Sequence, residues 1–76
     1  MTQTEIILNH LQKYNTITSW EAIGRYGITR ISARIWDLRK AGWEISVKSK
    51  VIRNSFGNKV NVAEYTLEGR KDELKK

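Results

Sequence analysis

Cysteine is absent from this chain of 76 residues, and histidine occurs once, at His10. Disulfide staples and zinc sites of the usual Cys/His kind are therefore excluded. No run approaches the ~18 consecutive apolar residues of a membrane span, and the opening MTQTEIILNHLQKY lacks a basic segment followed by an apolar signal core. A cytoplasmic protein with no membrane partner is expected. There is no glycine-rich loop to cradle a phosphate, and one histidine without a thiol leaves no nucleophile, base and oxyanion set. Neither enzyme activity nor a cofactor is expected. His10 lies beside the apolar stripe of its helix and reads as a packing or surface group.

Acids are the minority charge. Eight Asp plus Glu stand against fourteen Lys plus Arg, a formal net charge of +6 and a pI near 9.9. So positive a field on so small a body suits a polyanion. The charge is also concentrated: Arg25, Arg30, Arg34, Arg39, Lys40, Lys48, Lys50, Arg53 and Lys59 occupy the central segment, while five of the eight acids precede residue 22 or follow residue 67. A chain of this length makes one domain whose core contributes only ~3–5 kcal/mol net, with no room for a second catalytic or sensing domain.

Thr2 followed by Glu5 makes a capping box, and Ile7, Leu11 and Tyr14 repeat at helical spacing, so a first helix over residues 2–14 is expected, widened by Ile6 and Leu8. Residues 15–18 allow a turn and two or three residues of strand with Ile17 inward. Thr18 with Glu21 opens a second capping box and a short helix over residues 19–26, with Trp20, Ile23 and either Ala22 or Tyr26 buried. Gly24 inside that helix costs about 1 kcal/mol relative to alanine, a cost usually accepted where another backbone approaches closely. Gly27 ends it and turns the chain into the next helix.

That next stretch, TRISARIWDLRKAG at residues 29–42, organises the rest. Ile31, Ile35 and Leu38 line one stripe that must face a core. Thr29, Arg30, Ala33, Trp36, Asp37 and Lys40 project opposite, with Ser32, Arg34 and Arg39 on the flanks. Small residues, cations and one large aromatic on an outward face have the chemistry that base edges and phosphates require. Thr29 is placed to cap the start, and Gly42 supplies a left-handed end.

After Gly42 the period falls to two. Trp43, Ile45 and Val47 alternate with Glu44, Ser46 and Lys48; turn formers crowd residues 54–58 (NSFGN); and residues 59–67 alternate again with Ala63, Tyr65 and Leu67 on one face. Val60 and Val62 fall on the other parity, which a bulge near the tip would reconcile. The expected architecture is α+β and mainly α: three helices followed by a two-stranded β-hairpin wing, spanning residues 1–67. A charged, frayed tail is expected at residues 68–76.

EAIGRYGITRISARIWDLRKAGWEI resembles the small winged helix-turn-helix DNA-binding domains of bacteriophage and prophage genomes. The resemblance covers about residues 4–67 and is most specific in Tyr26, Gly27 and Ile28 followed by Arg30, Ser32, Ala33, Arg34, Ile35, Asp37, Leu38, Arg39 and Gly42. It implies a DNA-binding fold in which residues 29–40 read and residues 48–59 form the wing. The chain departs from the broader pattern four residues before the turn glycine, where a small residue is usual and Ile23 stands between Ala22 and Gly24.

Within the reader, Arg30 is placed either to donate two hydrogen bonds to a guanine edge or to meet a phosphate. Thr29 and Ser32 are placed for a phosphate or base edge, with capping the alternative for Thr29, and Ala33 for a thymine methyl. Trp36 suits methyls and sugars, or packing under the wing or in a dimer. Asp37 is expected to fix arginine rotamers, and Arg34, Arg39 and Lys40 to serve phosphates. In the wing, Lys48, Lys50, Arg53 and Lys59 offer charge along the flanking backbone. Asn54, Phe56 and Asn58 occupy the tip, where Phe56 either enters a minor groove or folds back over its hairpin.

Duplex DNA is thus the expected partner, with a second copy of the chain on an adjacent or inverted half-site, in a regulator of transcription, excision or replication. The competing class is a protein interaction module, such as a phage inhibitor of a host protein, using the same fold. RNA binding is disfavoured because the aromatics do not form stacked platforms. If about three to five phosphates are neutralised, log K against log salt should fall with a slope of roughly −3 to −4, measurable by titrating a labelled duplex.

Overall fold

The computed structural model describes residues 2–70. Helix α1 (Gln3–Tyr14) begins at a complete capping box: the Thr2 side chain accepts from the Glu5 amide, and the Glu5 carboxylate accepts from the Thr2 amide. Asn15, left-handed at φ 73°, closes it through its amide to the Leu11 carbonyl. That sharp exit lays strand β1 (Thr16–Thr18) along the sheet, and Thr18 repeats the capping box with Glu21 to start α2 (Ser19–Tyr26). Gly27 ends α2 at φ 65°, and Ile28 leads into α3 (Ile31–Lys40). Strands β2 (Trp43–Arg53) and β3 (Lys59–Arg70) complete the chain.

The expected two-stranded wing is the long arm of a three-stranded antiparallel sheet of order β1-β3-β2. Ile17 pairs with Tyr65 across β1 and β3, and the Leu67 amide donates to the Asn15 carbonyl at 2.9 Å. The molecule is therefore mixed α+β rather than mainly α. Strand β3 also continues beyond residue 67: Gly69 and Arg70 pair with Glu44 and Trp43. The remainder of the expected charged tail, residues 71–76, lies outside the described residues.

No bulge interrupts the tip. Register runs unbroken from Ile45 opposite Leu67 to Arg53 opposite Lys59, and the irregularity sits at the base, where the next pair is Glu44 with Gly69 and Glu68 is left over. Ser46 donates to Glu68 at 2.8 Å beside this irregularity. Val60 and Val62 consequently occupy the sheet face opposite Tyr65, where Val62 is nevertheless buried among its strand neighbours.

The core joins Ile7 and Leu11 of α1, Ile17 of β1, Ala22 of α2, Ile28, then Ile31, Ile35 and Leu38 of α3, and Ile45 and Tyr65 of the sheet. Ile6, Leu8, Trp43, Ala63 and Leu67 pack partly buried against it. Ala22 is the small residue that lets α2 approach, one position before the place where the family pattern puts it. Tyr14, Trp20, Ile23 and Val47, all expected inward, are exposed. Tyr14 lays its ring 4.7 Å from that of the buried His10, with the cations of Lys13 and Arg25 beside it, and Val47 is exposed although its cross-strand partner Tyr65 is in the core.

His10 is buried at the junction of α1 and α2, with Nδ1 2.7 Å from the Tyr26 hydroxyl and Nε2 3.8 Å from Glu21. Burial lowers its pKa below the ordinary 6.5; Glu21 opposes this and Arg25 reinforces it. The open chain therefore binds more proton than the fold between the lowered value and about 6.5, so stability is full above that window and declines as pH falls through it. Denaturant melts at stepped pH should show this decline, and His10→Gln should remove it; an unchanged slope would contradict the assignment.

Candidate nucleic-acid interface

The three buried aliphatics of α3 decide what its other side presents. With Ile31, Ile35 and Leu38 at 5, 1 and 2% exposure, the helix cannot roll. Ser32, Trp36, Arg39 and Lys40 are exposed as a result, and Ala33 and Arg34 half-buried on the flank. The helix begins later than the sequence suggests: Arg30 is its N-cap at φ −107°, ψ 55°, makes no side-chain cap hydrogen bond, and leaves Thr29 outside as an exposed residue rather than a cap. Gly42 follows the last turn at φ 105°, a left-handed exit as expected.

Not all the cations of this face are at liberty. Arg34 forms an ion pair with Asp37 at 3.2 Å, and its Nη1 donates to Gln3 of α1 at 3.4 Å, while Thr4 donates to the same Asp37 at 3.4 Å. This is the expected fixing of an arginine rotamer, extended into a tie between α3 and α1. Arg39 donates through Nε at 3.0 Å and Nη2 at 2.7 Å to the carbonyl of Ile45, joining the end of α3 to the start of the wing. Lys40 sets its ammonium 4.4 Å from the centre of the Trp36 ring. Trp36 is 58% exposed and so lies neither under the wing nor in the core. Arg30, exposed, has no side-chain partner among the described residues.

The wing carries a similar division. Lys48 and Lys50, on one face of β2, reach across to the two oxygens of Glu64 at 3.4 and 3.2 Å. Glu64 is itself buried, and the hydrogen bond from Lys50, aided by Lys48, holds its carboxyl below the usual range. The sequence shows the two lysines at a spacing of two but not the acid facing them, because that pairing depends on strand register. At the tip, Asn54 accepts from the amides of Phe56 at 2.9 Å and Asn58 at 3.1 Å, a side-chain turn that shapes the loop. Gly57 adopts φ 81°, and Arg53 donates to its carbonyl at 2.9 Å. Phe56 does not fold back over the hairpin; at 87% exposure it stands clear of it. Asn58 and Lys59 are exposed beside it, and Lys59 has no side-chain partner among the described residues.

A short helix joined through a left-handed glycine to a second helix whose outer side is exposed, followed by a projecting hairpin, defines a helix-turn-helix protein with a wing. Residues 2–70 match the winged helix-turn-helix domain family, and the chain belongs to it. Searches of curated proteins and of solved structures each returned no match. Family membership points to DNA binding, and no described helix is long and apolar enough to cross a membrane.

Because both Arg39 hydrogen bonds end on the Ile45 carbonyl and tie α3 to β2, Arg39→Ala should destabilise the fold by about 1–2 kcal/mol. Urea unfolding would register this; a variant as stable as the parent would show the bonds to be idle.

Proposed function

We propose that this protein binds duplex DNA with sequence preference, seating α3 in the major groove and the wing along the flanking backbone or minor groove. The observation that carries the reading is the outward face of α3: Arg30 at its N-cap and Ser32, Trp36 and Lys40 within it stand exposed, with Ala33 small between them, beside a basic hairpin. Thr29 at the helix entry and Ser32 supply hydroxyls to phosphate or a base edge. Arg30 is the base reader, since its guanidinium is uncommitted and offers two parallel donors to guanine. Trp36, with Lys40 over its ring, presents an apolar surface bearing a positive charge, suited to thymine methyls and the adjacent sugar-phosphate.

Arg34 and Arg39 act mainly by fixing the helix, with their residual charge adding to the field. Lys59, Asn58 and Phe56 form the forward edge of the wing. Lys48 and Lys50, partly neutralised by Glu64, and Arg53 and Asn54, engaged in the turn, hold that edge in position. The proposed role is regulatory and of the phage type, in transcription, excision or replication, within the cytoplasm or nucleoid. One monomer offers few phosphate contacts, so useful specificity requires two copies on neighbouring half-sites.

A second reading, docking to a host protein, draws on the exposure of Phe56 and Trp36. The two separate cleanly in a salt titration of random and selected duplexes, because duplex affinity that falls steeply with salt belongs only to the first.

Selection from random duplexes should yield a preferred site at which Arg30→Ala relaxes one base position by about 1–3 kcal/mol. Lys59→Ala should weaken all sequences alike and lower the salt slope by about one. Absence of duplex binding by the parent at low salt would overturn the function.

A further inference from the structure

The outward stripe of α2 carries no polar side chain. Ala22 is fully buried; Trp20 and Gly24 project on the opposite side of the helix, Ile23 lies at the edge of that side, and Gly27 follows at the C-cap. Trp20 is 42% and Ile23 49% exposed. Gly24 is unexplained by the described residues: a Cβ there would meet none of their heavy atoms within 4 Å, and its φ is not positive. Alanine would fit and would favour the helix.

We propose that this stripe is a self-association surface on which α2 of a second copy crosses antiparallel. A twofold axis between Ile23 and Gly24 sets the Ile23 of each copy opposite the Gly24 of the other, and Trp20 opposite Gly27. Each large apolar side chain thus meets a residue without one, and no charge is trapped between the helices. The glycine that none of the described residues requires becomes the hollow that admits the second helix.

The four apolar side chains supply only a few hundred Å² in total, against the ~1,200 Å² of a stable interface, so the free protein is mainly monomeric. Two copies held on neighbouring half-sites meet at an effective concentration on the order of millimolar, enough to close the contact. That step rests on the DNA-binding reading; the surface itself does not.

The absence of cysteine permits a clean test in free solution. Ile23→Cys, at about 1 mM protein with a short bis-maleimide, should give a covalent dimer, whereas Ser55→Cys on the wing tip should not. Adding Gly24→Ala to Ile23→Cys should cut the dimer yield several-fold, although Gly24→Ala alone should raise the melting temperature. Equal yields from the two single cysteine variants, no dimer at all (the outcome for a face reserved for a different protein), or a yield unaffected by Gly24→Ala would each overturn the proposal. On a duplex with two selected half-sites, Gly24→Ala should abolish a roughly tenfold cooperativity and leave single-site affinity unchanged. Cross-linking without duplex binding would retain the surface and remove the DNA reading; normal duplex binding without cross-linking would do the reverse.

Discussion

Everything this molecule presents outward depends on the seating of three aliphatic side chains. Ile31, Ile35 and Leu38 are nearly inaccessible against Ile7, Leu11 and the sheet, and burial of such side chains is worth about 1.5–3 kcal/mol each. In a domain this small that is a large part of the net stability. The same burial fixes the rotation of α3 about its axis, so hydrophobic packing and display of its outer face are one constraint. Arg34 to α1 and Arg39 to β2 then act as directional ties that the apolar contacts alone cannot supply.

The helices were legible because each carries its own punctuation. Capping boxes at Thr2 and Thr18, the left-handed Gly27 and the aliphatic stripe of α3 are local signals, and the structure reproduces them. What local signals cannot report is whether a surface exists for an apolar face to meet. Trp20 and Ile23 repeat at helical spacing like any buried pair, yet α2 has only eight residues and one packed side, which Ala22 occupies. The start of α3 was displaced for a related reason: Thr29 has the chemistry of a cap, but the turn after Gly27 leaves Arg30 at that position.

The sheet was legible in pattern and not in connection. Alternation around Ile45 and Tyr65 announces two strands, but the pairing of β1 with β3 joins residues about fifty apart and leaves no trace in local periodicity. Val62 illustrates the difficulty. Its parity implies a bulge near the tip if every valine must face the helices; the structure instead keeps register and buries Val62 on the other face. Val62 shares that face with the buried Glu64 and the two lysines that reach it, so an apolar residue of either parity can be covered and alternation ceases to identify the core side.

Net charge is the quantity most easily over-read. The formal +6 follows from composition, but a ligand meets the field of cations as the fold disposes them. Two lysines facing one buried carboxylate contribute nearer one positive charge than two at a distance, and an arginine fastened to a carbonyl keeps its charge while losing the freedom to reach. Strand register and helix termini therefore sort the basic residues into those that stiffen the frame and those that face outward. That sorting leaves Arg30 at the entry of α3 and Lys59 at the forward edge of the wing as exposed cations without a side-chain partner among the described residues. A polyanion approaching this surface would then be drawn by the summed field and discriminated by very few side chains, which is why a small basic domain gains selectivity more readily by pairing with itself than by adding further cations.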